Sequence, residues 1–158
     1  MTNRKLPIGI QSFEKIRNGN YLYVDKTELV YRLAVSEIPY FLSRPRRFGK
    51  SLLISTLDAY FQGRKELFQG LAIEKLEHDW LTYPVDLNAR KYETEADLVA
   101  ILNQYLEMWE AVYGDEMKLR APEERFFYVI RRAWEQTGRQ VVVLIDEYDK
   151  PLLQAINN

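Results

Sequence analysis

The chain has no cysteine among its 158 residues and a single histidine, His78. The first absence excludes disulfides, thiolate metal sites and cysteine nucleophiles, and agrees with a reducing, cytoplasmic compartment. The second excludes a multi-histidine metal centre, and His78, inside the polar Glu77-His78-Asp79 stretch, reads as a solvated surface residue rather than a catalyst. Charge is not in excess either: 22 basic and 23 acidic residues leave a formal net charge of −1. Nothing global therefore draws the chain to nucleic acid, and any such contact would have to be local. Long apolar runs are missing too. The basic start at Arg4 and Lys5 gives way to Leu6-Pro7-Ile8-Gly9, so neither a signal peptide nor a membrane span is visible. There is no repeat, low-complexity tract or linker.

What is present is material for one ordinary core, with 47% hydrophobic and 13% aromatic residues. Within it, Arg44-Pro45-Arg46-Arg47-Phe48-Gly49-Lys50-Ser51 carries the end of a phosphate-binding loop. In G-x-x-x-x-G-K-[ST] the backbone amides wrap phosphates, Lys reaches the β/γ oxygens and the hydroxyl ligates Mg²⁺. Gly49-Lys50-Ser51 fits, and Arg44 stands where the first glycine belongs. Pro45 offers another way to fix the turn, since its ring pre-sets φ. The flanks suit the motif. Ile38, Tyr40, Phe41 and Leu42 form a short apolar run suited to a buried strand. Leu52, Leu53, Thr56, Leu57, Tyr60 and Phe61 recur at helical spacing, with Gly63 as a stop. The free N–H groups of that helix's first turn, and its positive dipole end, favour an anion. The plain alternative is a chance Gly-Lys-Ser between a strand and a helix.

Near the other end, Val141-Val142-Val143-Leu144-Ile145 reads as a strand buried on both faces, as in a parallel sheet, and it runs into Asp146-Glu147. An Asp at such a position can hold Mg²⁺ directly or through water, and a neighbouring Glu can orient and polarise an attacking water. The competing account is that both acids only end the strand, with Asp149, Lys150 and Pro151 completing the turn.

Between these motifs the residues 21–24 and 83–87 are shorter strand candidates, Pro84 favouring an edge. Thr27 is a candidate cap for a helix to about Ser36. Thr94 and Asp97 open a long helix through Val99, Leu102, Tyr105, Leu106, Trp109 and Tyr113, closed by Gly114. Pro122, Glu123 and Glu124 open another through Phe126, Phe127, Ile130, Ala133 and Trp134 to Gly138. Helical spacing assigns these aromatics to core rather than to base stacking.

Gly9-Ile10-Gln11-Ser12-Phe13, Tyr23-Val24-Asp25-Lys26-Thr27, the stretch from Phe41 to Ser51, and Ile145-Asp146-Glu147-Tyr148-Asp149-Lys150-Pro151 together resemble the bacterial and archaeal AAA-ATPase-like domain. That domain often stands at the N-terminus of longer proteins, commonly ahead of a PD-(D/E)xK nuclease-like domain. Its loop typically reads R-P-R-R-F-G-K-S, so Arg44 fits the family while departing from the general P-loop. The resemblance implies ATP, and the absence of an Asn-Lys-x-Asp motif agrees with ATP over GTP.

The expected fold is α/β: a P-loop NTPase-like three-layer α/β/α core with a parallel sheet, its later strands missing. Residues 1–158 would be the N-terminal portion of one such domain, truncated after the Walker B strand, because only twelve residues follow Asp146. Arg46, Arg47, Phe48, Gly49, Lys50, Ser51 and Leu52 are the expected ATP-binding residues, the Walker A loop. Ser51 and Asp146 are the expected Mg²⁺ ligands, and Glu147 the residue that aligns hydrolytic water. The ancestral activity is Mg²⁺-dependent ATP hydrolysis, weak or absent in these 158 residues. Two alternatives stay open: an ATP-sensitive scaffold that binds a protein partner without turnover, and an accessory domain of a nucleic-acid-acting protein whose nuclease-like domain follows. Glu116-Met117-Lys118, the chain's acid-x-Lys match to a nuclease, lies in a polar segment between helices and reads as chance.

Overall fold

The computed structural model describes residues 4–36, 38–43, 45, 47–76 and 95–146. The chain divides into two compact units, Met1–Thr82 and Tyr83–Asn158.

In the first unit, α1 (Phe13–Asn18), α2 (Thr27–Ala34) and α3 (Lys50–Phe61) are followed by 3₁₀ turns at Lys65–Phe68 and Ala72–Lys75. Ser12 caps α1, its Oγ accepting from the Lys15 N–H at 3.2 Å, and Glu14 sits in the first turn. These short elements are held by one apolar cluster: Phe13, Ala59, Tyr60, Leu67, Phe68, Leu71 and Ile73, with Tyr23, Tyr31 and Leu52 packed against it. The Phe13 ring stands 4.9 Å from Phe68 and 5.2 Å from Tyr23, the latter edge-on. Helix α3 enters the cluster with Ala59 and Tyr60, and Thr56 and Leu57 are buried beside them in sequence. It stops where expected, Gly63 adopting φ 68° just beyond it.

Polar ties fix the loop after α3. Arg17 donates from Nε to the Leu67 carbonyl at 2.7 Å and from Nη2 to that of Gln69 at 2.6 Å. Thr27, expected as a cap, is instead the first residue of α2, and Asp25 does the capping. Its Oδ1 accepts from the Thr27 N–H at 2.9 Å and hydroxyl at 2.7 Å, while Oδ2 accepts from the Ala72 N–H at 2.7 Å. The Thr27 hydroxyl in turn accepts from the Ile73 N–H at 3.1 Å.

The second unit is built on α4 (Glu95–Tyr113) and α5 (Pro122–Thr137). Gly114 with φ 120° follows α4, Pro122 opens α5, and Gly138 with φ 65° closes it by donating to the Trp134 carbonyl at 2.8 Å. Glu124 reaches back to accept from the Ala121 N–H at 3.3 Å. Leu106, Trp109 and Tyr113 of α4 pack with Val129 and Ala133 of α5, and Phe126 lies against them.

Two expectations are corrected. No parallel sheet or three-layer α/β/α core exists among the described residues, whose regular structure is helical. Residues 39–43 and 141–146 lack regular structure and residues 21–24 make only an isolated parallel bridge, Tyr21 with Lys5. Apolar composition supplies strand side chains, but a strand exists only when a second backbone takes its N–H and C=O groups. Without that cover Phe41 is 72% exposed and Ile145 58%. Residues 83–87 lie outside the described residues.

The second correction concerns α5. Its buried stripe is Arg125, Val129 and Ala133 at four-residue spacing, so Phe127, two positions off that stripe, faces away. Phe127 and Trp134 are accordingly exposed rather than core. Among the described residues no helix is long and apolar enough to cross a membrane.

Candidate functional site

The site begins where the chain turns into α3. Gly49 is the N-cap, at φ 78° and ψ 20°. A Cβ there would meet nothing within 4 Å, so the left-handed backbone, not crowding, is what asks for glycine. Two residues earlier Arg47 also has positive φ, 68°. For a side chain other than glycine this costs about 1–2 kcal/mol, and such conformations concentrate at functional sites.

The turn delivers Lys50, Ser51 and Leu52 as the first turn of α3. The Leu53 N–H closes the first intrahelical bond, to the Gly49 carbonyl at 3.0 Å. No side chain caps this end and its first turn holds no acid, whereas α1, α2 and α5 each carry Glu there. The N–H groups of a helix's first turn and its positive dipole end favour an anion. Lys50 and Ser51 are half-buried, Phe48 is exposed, and Leu52 turns its side chain to the apolar cluster. An ammonium, a hydroxyl and a row of amides at one helix end are the donor set a polyphosphate needs.

The expected binding residues Arg47, Phe48, Gly49, Lys50, Ser51 and Leu52 therefore come together on one turn of the first unit. Asp146 is half-buried at the end of the apolar run 141–145 in the second unit. Arg44, Arg46, Glu147, His78 and Thr94 lie outside the described residues. Among the described residues no group of three or more His, Asp or Glu is placed to hold a metal ion. Glu116 and Lys118 sit in an exposed turn, where Glu116 accepts from the Tyr128 hydroxyl. That hydrogen bond, first among its causes, holds the Glu116 carboxyl below its usual range.

Several side chains behind α3 carry weight that the sequence did not disclose. Ser55 Oγ accepts from the Phe13 N–H at 3.0 Å, joining α1 to α3. The Thr56 hydroxyl donates to the Leu52 carbonyl at 2.7 Å. Burial, the largest influence, pushes the Tyr23 phenol above its usual range. For Asp25 burial acts upward as well, but the Thr27 hydroxyl, the Thr27 and Ala72 amides and Arg17 outweigh it and leave the carboxyl below its usual range. The four-residue spacing of Ser51 and Ser55 and the Asp-x-Thr turn pattern were the available signals.

A family model described as "Predicted AAA-ATPase" matches residues 7–158. A protein of Azotobacter chroococcum mcd 1, described as "Uncharacterized protein in vnfD 5'region", is 43% identical over 158 residues, covering 97% of this chain and 30% of the relative. The chain thus spans less than a third of that protein's length. No solved structure matches.

Proposed function

The chain belongs to the AAA-ATPase-like family, and from that premise we propose that it binds ATP with Mg²⁺ on the turn from Arg47 to Leu52. The observation that carries this reading is the left-handed Gly49, which presents Lys50 and Ser51 at an uncapped helix N-terminus free of acids. The backbone N–H groups from Arg46 to Ser51 hold the phosphates, and the Lys50 ammonium contacts the β/γ groups. The Ser51 hydroxyl would hold the Mg²⁺, and the Asp146 carboxylate would hold its water shell. Bound Mg²⁺ supplies neutralisation of charge on the phosphate oxygens. Glu147 would align a hydrolytic water, the ancestral activity being ATP hydrolysis, weak or absent in these 158 residues.

Calorimetric titration with Mg-ATP tests the binding claim. Lys50→Ala should weaken affinity about 10- to 100-fold, the value of a hydrogen bond to a charged group. Equal affinity in parent and variant would defeat the assignment. Glu147→Gln should bind ATP and lose turnover. A parent that binds without turning over would instead point to an ATP-sensitive scaffold.

A further inference from the structure

We propose that the outward face of α5 is a weak self-association surface, on which a second copy of this chain docks antiparallel across a two-fold axis beside Phe127. The inference is independent of the nucleotide reading, since no residue of the turn from Arg47 to Leu52 takes part.

The buried stripe of α5 is Arg125, Val129 and Ala133. On the side away from it Glu124, Phe127, Arg131 and Trp134 recur at three- and four-residue spacing and are all exposed, Phe127 to 71%. That is the spacing of a seam that packs against another helix. A single exposed apolar side chain needs no account. Phe127 and Trp134, seven positions apart, instead lie on one line along the helix.

The charges on the same line say what covers it. From its N-terminal end the seam reads acid, aromatic, base, aromatic. A parallel second copy would set Glu124 against the partner's Glu124 and Arg131 against the partner's Arg131, like charges in both places. An antiparallel copy centred near Phe127 sets Glu124 against the partner's Arg131 and, by symmetry, Arg131 against the partner's Glu124, while Phe127 meets the partner's Phe127 beside the axis. Trp134 then comes level with the partner's Arg120, an exposed cation just ahead of α5 that suits an indole face. The bonds already present leave capacity for this. Arg131 gives Nε to Glu135 Oε1 at 2.7 Å and Glu124 takes the Ala121 N–H at 3.3 Å, but a guanidinium has further donors and a carboxylate a second oxygen.

The seam is small. Four aromatic side chains at about 150–250 Å² each bury at most roughly 600–1,000 Å², below the roughly 1,200 Å² of a stable interface. Pairing is therefore reversible, with a Kd on the order of tens of micromolar or weaker.

The test is sedimentation velocity of the full chain from about 1 to about 500 μM, with circular dichroism to check that each variant keeps its helices. The parent should shift from monomer to dimer across that range. Glu124→Arg and Arg131→Glu each oppose like charges and should weaken pairing about tenfold or more. The double variant Glu124→Arg with Arg131→Glu should recover the parent's affinity, which a parallel pair would not do. Phe127→Asp should leave only monomer. A parent that stays monomeric throughout overturns the proposal and leaves the face to a different protein surface. So does a dimer indifferent to Phe127→Asp, or a double variant as weak as its singles. Should the variants lose their helices, the chain carrying only Trp80→Phe decides: iodide quenching of Trp134 should fall as dimers form, and quenching that stays constant overturns the proposal.

Discussion

Arg125 and Glu110 form a two-point ion pair between α5 and α4, Nε to Oε1 at 2.7 Å and Nη2 to Oε2 at 2.8 Å, with 8% and 2% of their side chains exposed. The guanidinium is completed by Asn103, whose Oδ1 accepts from Nη1 at 2.7 Å. Every edge of the arginine that faces inward thus has a partner, which is the condition under which a buried charge is tolerated.

Breaking this pair should be costly, and replacing it should not. Glu110→Gln leaves a buried guanidinium without its counter-charge and should destabilise the second unit by about 3–5 kcal/mol. Glu110→Leu combined with Arg125→Met removes both charges and should recover most of that loss. Urea unfolding of the two singles and the double variant decides it. A double variant as unstable as the sum of its parts would show that the two residues act independently.

Asp25 should give the first unit an acid-sensitive contribution. Its folded-state value is lowered, so the ionised carboxylate's contribution is complete above the unfolded value, near about 3.9, and is lost as pH falls through the lower folded value. Asp25→Asn turns an acceptor pair into one acceptor and one donor facing amides. It should cost about 1–2 kcal/mol at neutral pH. The gap between parent and variant should narrow in strongly acidic buffer, where the parent is protonated too. Urea midpoints at several pH values provide the check, and a gap constant with pH would contradict the prediction.

Gly49 should discriminate backbone strain from crowding. Because a Cβ meets nothing within 4 Å but φ is 78°, Gly49→Ala should cost about 1–2 kcal/mol through conformation alone. Gly49→Asn should cost less, since asparagine tolerates the left-handed region better. Thermal unfolding ranks the pair, and equal losses would mean that the helix entry relaxes to another conformation.

The helices were legible because their signals are local. Pro122, Gly114 and Gly138 mark their own boundaries, and the apolar spacing from Leu52 to Phe61 marks α3. The sheet was misread for the opposite reason. Ile38, Tyr40, Phe41 and the run 141–145 have strand composition, but pairing is a property of two segments, and no sequence pattern in one of them states that the other is there. Phe127 and Trp134 were misassigned because an apolar side chain on an amphipathic helix does not by itself say which face is covered; the buried Arg125 shows that the covering stripe runs elsewhere.

The candidate site divides the same way. Gly49, Lys50 and Ser51 are contiguous, so the sequence displays them together, and the left-handed turn explains their order. Phe13 and Ser55 lie far apart in sequence and meet only once α1 packs on α3. A capping carboxylate at Asp25 was hidden behind Thr27, the more conventional cap residue.

The unequal surroundings of two indoles give this chain an internal optical reference. Trp109 is 8% exposed and Trp134 56%, although both belong to the same pair of helices. With Trp80 replaced by phenylalanine, iodide in the buffer would quench the emission of Trp134 and spare that of Trp109. Any loosening between α4 and α5 then registers as new quenching at the shorter emission wavelength, while the longer one serves as the standard against which it is read.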